Sequence, residues 1–162
     1  MAGERDLLLA LIDQGFDHAS WHGPNLSGSI RGVTARQASQ RPGPNRHNIW
    51  EQVVHAAYWK YVVRRRLTGE KRGSFPVKGS NWFVRPLKGM GEREWKADVA
   101  LLMEVHRTMR DVIANLEPAR LNKPLSAKAR KLTPFRLISG IAMHDVYHAG
   151  QIGLIKRLIR RR

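Results

Sequence analysis

The chain of 162 residues contains no cysteine, and this absence removes several classes of site. It excludes disulfide bonds, a thiolate nucleophile and any zinc site built on thiolate ligands. A metal site in this protein would therefore take its ligands from histidine, aspartate or glutamate. The seven histidines are the residues to consider first.

Long apolar runs are also lacking. No stretch approaches the roughly 18 continuous apolar residues of a membrane-spanning helix, so no membrane partner is expected. The first residues, Met1–Asp6, carry charges of both signs and lack the basic-then-apolar order of a secretory signal. The sequence predicts a cytoplasmic protein, and its length predicts a single domain over residues 1–162.

Acidic residues are scarce beside basic ones: 13 Asp and Glu stand against 29 Lys and Arg, which gives a formal net charge of +16. A surface with this charge attracts nucleic acids, anionic lipids or acidic small molecules. Charge patterning alone is a nonspecific signal. The favoured interpretation is a solvated, arginine-rich surface, and nucleic-acid binding is the alternative.

The hydrophobic pattern predicts helices and no strand. Apolar residues recur at helical spacing in four long segments. These segments are Glu4–Ala19, Asn48–Thr68, Glu92–Leu116 and Thr133 to the C-terminus, and a capping box at Thr34–Gln37 marks one or two further turns. Four amphipathic helices, two of them with inward polar side chains, predict a helix bundle with a site in its core.

The connection Gly69–Gly91 separates the second and third long helices. It is rich in glycine, proline and lysine, yet it contains Asn81-Trp82-Phe83, which is too apolar for a plain flexible linker. Connections of this length in a compact domain are usually functional or mobile. Two interpretations stay open: a bundle crossover with a packed aromatic anchor, or a lid over a site.

His144 and His148 lie four residues apart on the inward stripe of the last predicted helix. Helical side chains at this spacing share a face, with Cβ atoms about 5–6 Å apart. Both imidazoles can then reach one divalent metal at about 2.0–2.1 Å. His55, inside the second long helix, is the best candidate for a third ligand. Three neutral imidazoles around zinc or nickel would leave a position open for water or substrate.

The other four histidines are weaker candidates. His18 and His22 are also four residues apart, but the break at Gly23-Pro24 places one or both in a loop. His47 is expected beside a helix cap. His106 lies on the apolar stripe of the third long helix, where a core histidine with satisfied hydrogen bonds is the expectation.

The segment His144–His148 also resembles the zinc-protease pattern His-Glu-x-x-His, with Asp145 in place of the glutamate. That glutamate serves as general base, and aspartate is one methylene shorter. No third ligand follows before Arg162, so a protease is not expected. Asp145 is expected to face away and to orient a ligand from a neighbouring segment. Packing is the favoured role for Tyr147, over hydrogen bonding to a substrate.

Three segments together resemble the DinB-like (DinB/YfiT) superfamily of bacterial metal-binding four-helix bundles. They are Trp21–Leu26, His47–Trp59 and His144–Ile152, and they occur in the family's order along the chain. The resemblance implies an all-α four-helix bundle with a long loop between the second and third long helices. It also implies one divalent metal, zinc or nickel, bound by His55, His144 and His148.

The resemblance further implies a homodimer and a small-molecule substrate. Characterised members include transferases and isomerases that use low-molecular-weight thiols. The expectation is a metal-dependent hydrolase or a thiol-dependent S-transferase acting on a small electrophile, with an exogenous thiol as co-substrate in the second case. No general base is assigned. The alternative is a basic nucleic-acid-associated protein with a structural histidine site, because the family pattern does not call for the +16 charge.

Overall fold

The computed structural model describes residues 3–126 and 130–160, and all the regular secondary structure within these ranges is helical. The α-helices are α1 (Glu4–Phe16), α2 (Leu26–Ile30), α3 (Ala35–Ser39), α4 (Ile49–Thr68), α5 (Glu92–Ala114) and α6 (Pro134–Ile159). A short 3-10 helix, Pro118–Arg120, follows α5, and the described residues contain no strand. The prediction of an all-α protein is confirmed.

The long helix α4 begins and ends where the sequence predicts. The Asn48 side chain accepts a hydrogen bond from the Glu51 N–H at 2.8 Å, and the Glu51 carboxylate accepts one from the Asn48 N–H at 3.3 Å. This capping box satisfies donors that a helix start leaves unpaired. Gly69 has a φ of 81° and ends the helix in the left-handed conformation that glycine adopts without steric cost.

Two helices end earlier than the sequence predicts. α1 stops at Phe16 rather than Ala19, because the following residue has left helical geometry with φ of −144° and ψ of −10°. α5 stops at Ala114 rather than Leu116. The sequence does not predict α2, since its five residues are too few to show a hydrophobic period. The predicted last helix extends over residues 161–162, which lie outside the described residues.

The four long helices pack against one another around an apolar core. α4 contacts both α5 and α6, and α1 contacts the same two helices. The short helices α2 and α3 cover parts of α6 and α4 respectively. Every long helix contributes fully buried side chains, among them Ile12, Phe16, Ile49, Trp50, Leu102, Met109, Ile138 and Ile152. None of the described helices combines the length and apolar character that a bilayer crossing requires.

Asp98 of α5 joins three parts of the chain. Trp50 Nε1 of α4 donates a hydrogen bond to Asp98 Oδ2 at 2.7 Å, and Arg85 Nε donates to the same oxygen at 2.8 Å. Asn48 Nδ2 donates to the Arg85 carbonyl at 2.6 Å. All four residues are buried. These contacts hold residues 69–91, which contain no helix or strand, against α4 and α5.

An ion pair joins α4 to α6 inside the core. Lys60 Nζ donates to Asp145 Oδ2, and the two side chains are 0% and 1% exposed. Burial lowers the pKa of Lys60 and raises the pKa of Asp145 to about 6, while the attraction between the two charges opposes both shifts. Beside this pair α1 approaches α6 closely at Gly15, where a Cβ atom would lie 3.0 Å from the Ala142 carbonyl oxygen.

His106 of α5 is buried, as predicted, and its ring stacks on Phe16 with 3.5 Å between the ring centroids. The prediction that its hydrogen bonds are satisfied is wrong for Nδ1, which has no partner among residues 3–126 and 130–160. Burial, with the nearby charges of Lys60 and Arg110, lowers the pKa of His106 to about 2.

The substitution Lys60→Met is expected to lower the free energy of unfolding by about 3–5 kcal/mol, because it leaves the Asp145 carboxylate buried without its partner. Chemical denaturation followed by circular dichroism measures the loss. The double variant Lys60→Met/Asp145→Leu removes both charges and is expected to recover most of it. A double variant no more stable than Lys60→Met would contradict this account of the pair.

Acid is expected to destabilise the protein partly through His106. Its folded pKa of about 2 lies below the ordinary value of 6.5, so this contribution is complete above pH 6.5 and is lost as the pH falls. One proton corresponds to about 1.4 kcal/mol per pH unit. The free energy of unfolding of His106→Phe is measured by denaturation between about pH 4 and 6. Its slope against pH should be smaller than that of wild type by the contribution of one proton. Equal slopes in His106→Phe and wild type would refute the lowered pKa of His106.

Candidate metal centre

Three histidines from two facing helices meet at one point. His55 Nε2 lies 3.2 Å from His144 Nε2, which lies 3.0 Å from His148 Nε2. One ligand atom from each of the three falls within 4.8 Å of the others. α4 supplies His55, and α6 supplies the other two from successive turns. The structure therefore brings together all three residues that the sequence predicts as metal ligands.

Hydrogen bonds at Nδ1 orient two of these rings. His55 Nδ1 donates to the Asn81 carbonyl at 2.8 Å, and His148 Nδ1 donates to Gln52 Oε1. A carbonyl oxygen only accepts, so in both rings the proton lies on Nδ1. Because a neutral imidazole carries a single N–H, Nε2 of each ring is left with a free lone pair directed at the common point.

The three rings are neutral at neutral pH. Burial lowers the pKa of His144 to about 4 and that of His148 to about 3, and the neighbouring histidines add to both shifts. Burial also lowers the pKa of His55, although the hydrogen bond to Asn81 opposes this shift. The cluster therefore offers lone pairs rather than positive charge.

The donor set fits a divalent metal. His55 and His148 carry their protons on Nδ1, so only His144 can carry a proton on Nε2, at the common point. A single N–H group cannot donate to both neighbouring nitrogens with good geometry. His144 Nδ1 is buried and lacks a hydrogen-bond partner within the described chain. A lone pair is thus left unpaired in either tautomer, which is costly in a buried site.

The spacing also fits such an ion. Nitrogens bound at about 2.0–2.1 Å to tetrahedral zinc lie about 3.3 Å from one another. The separations between His144 Nε2 and its two neighbours, 3.0 and 3.2 Å, are close to that distance. An ion that accepts all three lone pairs would relieve the unpaired contacts without moving either helix far.

Trp82 and Asn81 form a wall of the site from the connection 69–91. The Trp82 ring stacks on His55 at 3.8 Å and on His47 at 3.6 Å between ring centroids. Asn81 accepts from His55 through its carbonyl and from Trp59 Nε1 through Oδ1 at 3.0 Å. The aromatic packing that the crossover interpretation predicts is present, and Trp82 lies against the ring of His55. The roles of this connection as a bundle crossover and as a lid stay predictions.

The sequence does not assign Gln52, Asn81 or Trp82 individually to the histidine site, although it marks the segment Asn81-Trp82-Phe83. Gln52 lies one helical turn before His55 on α4, so its spacing is a usable signal. Asn81 has a φ of 63°, a left-handed conformation that asparagine adopts more readily than most residues. The only sequence signal that marks this glycine-rich connection is the apolar pair Trp82-Phe83.

The remaining histidines lie largely as predicted. His18 and His22 fall after the end of α1 and are exposed, and His18 Nδ1 bonds to Asp17 at 2.6 Å. His47 precedes the Asn48 cap and its Nδ1 lies 3.0 Å from Glu51 Oε2. None of these three joins the cluster of His55, His144 and His148.

Two expectations for the last helix need correction. Asp145 does face away from the histidine cluster, but the prediction that it orients a metal ligand is wrong, because its hydrogen-bond partner is Lys60. Tyr147 is 62% exposed, and its ring contacts the edge of the His148 ring, with 5.1 Å between centroids. The packing expected of Tyr147 is therefore partial, because most of its side chain is exposed.

A cavity of about 730 Å³ opens beside the histidines. His148, Gln52 and Trp82 lie in its wall, and Leu154 and Leu158 of α6 form an apolar side. This volume lies in the range of small-molecule binding sites. A ligand in the cavity would approach the cluster from the side of His148.

A family model described as the DinB superfamily matches residues 18–152, which is most of the chain and includes all three histidines. The chain belongs to the DinB superfamily. The resemblance carried by the segments Trp21–Leu26, His47–Trp59 and His144–Ile152 is thereby confirmed. No curated protein and no solved structure matches this DinB-superfamily chain significantly.

The substitution Gln52→Leu is expected to weaken zinc binding about 10- to 100-fold, because His148 Nδ1 loses the acceptor that fixes its tautomer. Titration against a competing chromophoric chelator measures the dissociation constant. Gln151→Leu is the matched control, since Gln151 lines the same cavity but forms no hydrogen bond with a ligand histidine. Equal losses in the two variants would contradict the assigned role of Gln52.

Proposed function

We propose that this DinB-superfamily protein binds one divalent metal ion, zinc or nickel, through His55, His144 and His148. The observation that carries the proposal is the convergence of three neutral imidazoles whose Nε2 atoms face one point. When bound, such an ion with three histidine ligands keeps a further position open and lowers the pKa of a water or thiol held there.

The activity that best suits this arrangement is that of a metal-dependent hydrolase or a low-molecular-weight-thiol S-transferase acting on a small electrophile. The chain has no cysteine, so a thiol nucleophile would come from an exogenous co-substrate. The cavity beside His148 has the volume for a small substrate, and its apolar side suits a ligand with an apolar part.

The chain's own residues would serve this chemistry by orientation and exclusion of water. Gln52 and Asn81 hold the protons of two ligand rings on Nδ1, which keeps both Nε2 lone pairs available. Trp82 covers one face of His55 and closes that side of the site to solvent. The buried ion pair of Lys60 and Asp145 fixes the two ligand-bearing helices against each other.

We further propose that α1, α4, α5 and α6 form the family's four-helix bundle, as one domain over residues 1–162. Residues 69–91 would be its long connection. A cytoplasmic location is part of the same proposal. A homodimer is supported by apolar side chains that α1 and α6 leave exposed, among them Leu7, Leu11, Met143 and Leu154. A second copy of the chain would remove them from water.

The metal proposal is tested by elemental analysis of protein that is stripped with a chelator, reloaded with zinc or nickel and desalted. Wild type is expected to retain one equivalent and His148→Ala less than about a tenth of one, because two imidazoles bind far more weakly than three. His22→Ala removes an exposed histidine outside the cluster and should bind like wild type. Wild type that retains no metal would refute the proposal.

A second experiment tests the reaction class. Reloaded wild type and His148→Ala are assayed in parallel with an activated ester and with a small thiol plus an electrophile. Turnover that requires His148 in either assay supports the proposed class, and the assay that responds identifies hydrolysis or thiol transfer. Metal binding without turnover in both assays would leave the metal site intact and refute these two reactions.

A further inference from the structure

A second concave surface lies near the end of α6, apart from the histidines. It is a pocket of about 360 Å³ between α6, α3 and the connection from α2 to α3. None of its lining residues also lines the cavity beside the histidines. Lys156 in its wall follows His148 by eight residues, which is about 12 Å along the helix. The two sites are therefore separate.

The lining of this pocket is strongly basic. Four cations surround it and no acidic residue does: Arg31, Arg36, Lys156 and Arg160. None of the four is in an ion pair within the described ranges. Lys156 Nζ donates to the Ser29 carbonyl at 2.9 Å, a contact that leaves its charge uncompensated. Thr34, Gln37 and Gln40 add neutral polar groups.

The convergence of these charges is more informative than their lack of partners. With 29 basic and 13 acidic residues, many cations on this protein must remain unpaired. Unpaired cations on a convex surface point apart into solvent and repel one another little. Here four of them line one concave pocket, where a single bound anion would lie near several positive charges at once.

We propose that this pocket binds a small phosphorylated anion, a phosphate monoester or a diphosphate. Guanidinium groups match phosphate oxygens with paired, charge-assisted hydrogen bonds, and Arg31 and Arg36 supply two of them. Val33 and Ile159 give the pocket an apolar part, against which the carbon skeleton of the ligand can lie. A pocket of about 360 Å³ suits a small anion better than the extended backbone of a nucleic acid, which needs a basic surface along its length.

The test titrates inorganic pyrophosphate into the protein by calorimetry at physiological salt. Saturable binding at one equivalent is expected, and Arg31→Gln/Arg36→Gln should weaken it at least about tenfold, because two charge-assisted contacts are lost. The double variant Arg66→Gln/Lys88→Gln removes the same charge at exposed positions outside the pocket and should retain the wild-type affinity. Both double variants are expected to keep the wild-type circular dichroism spectrum.

Two further arms separate the sources of binding. His148→Ala should bind pyrophosphate like wild type, and loss of binding in that variant would place the anion at the histidines and overturn the proposal. A single-stranded RNA oligonucleotide is titrated at the same salt. Tighter binding of RNA than of pyrophosphate, weakened equally by the two double variants, would show a general nucleic-acid surface and also overturn it. Failure of pyrophosphate to bind saturably would also overturn the proposal.

Discussion

Three neutral imidazoles packed side by side each present a nitrogen lone pair that needs a partner, and this requirement organises the candidate site. Gln52 and Asn81 hold the protons of His148 and His55 on the outer nitrogens, so both inner nitrogens face His144 without a proton. Burial keeps the rings neutral. A buried cluster of acceptors is costly unless a positive centre satisfies it, and a divalent cation does so with the ligand type that zinc and nickel accept.

The packing of the helices sets the distances between the nitrogens that carry these lone pairs. α4 carries His55 and α6 carries the other two histidines, and the ion pair of Lys60 and Asp145 joins the same two helices. Gly15 has no Cβ atom, so α1 can approach α6 closely beside Asp145. The histidine cluster therefore shares its supports with the hydrophobic core, so a loss of packing at the ion pair is also expected to loosen the cluster.

Local pattern was enough to predict part of this arrangement. The pair His144 and His148 follows from helical spacing on an apolar face, because both residues belong to one well-marked helix. His55 joins them across 89 positions of sequence, and only the family resemblance favoured it strongly. The contact of Asn81 with His55 could not be predicted, because it depends on the path of a segment without helix or strand. Lys60 and Asp145 likewise pair across 85 positions, which no periodicity reveals.

The central claim is that three histidine nitrogens converge to bind one metal ion, and the X-ray absorption spectrum of the zinc-loaded protein tests it most directly. The account predicts three imidazole nitrogens in the first shell at about 2.0–2.1 Å, with the outer-ring scattering typical of histidine. A first shell made of oxygen alone, or one with fewer than three imidazoles, would contradict it.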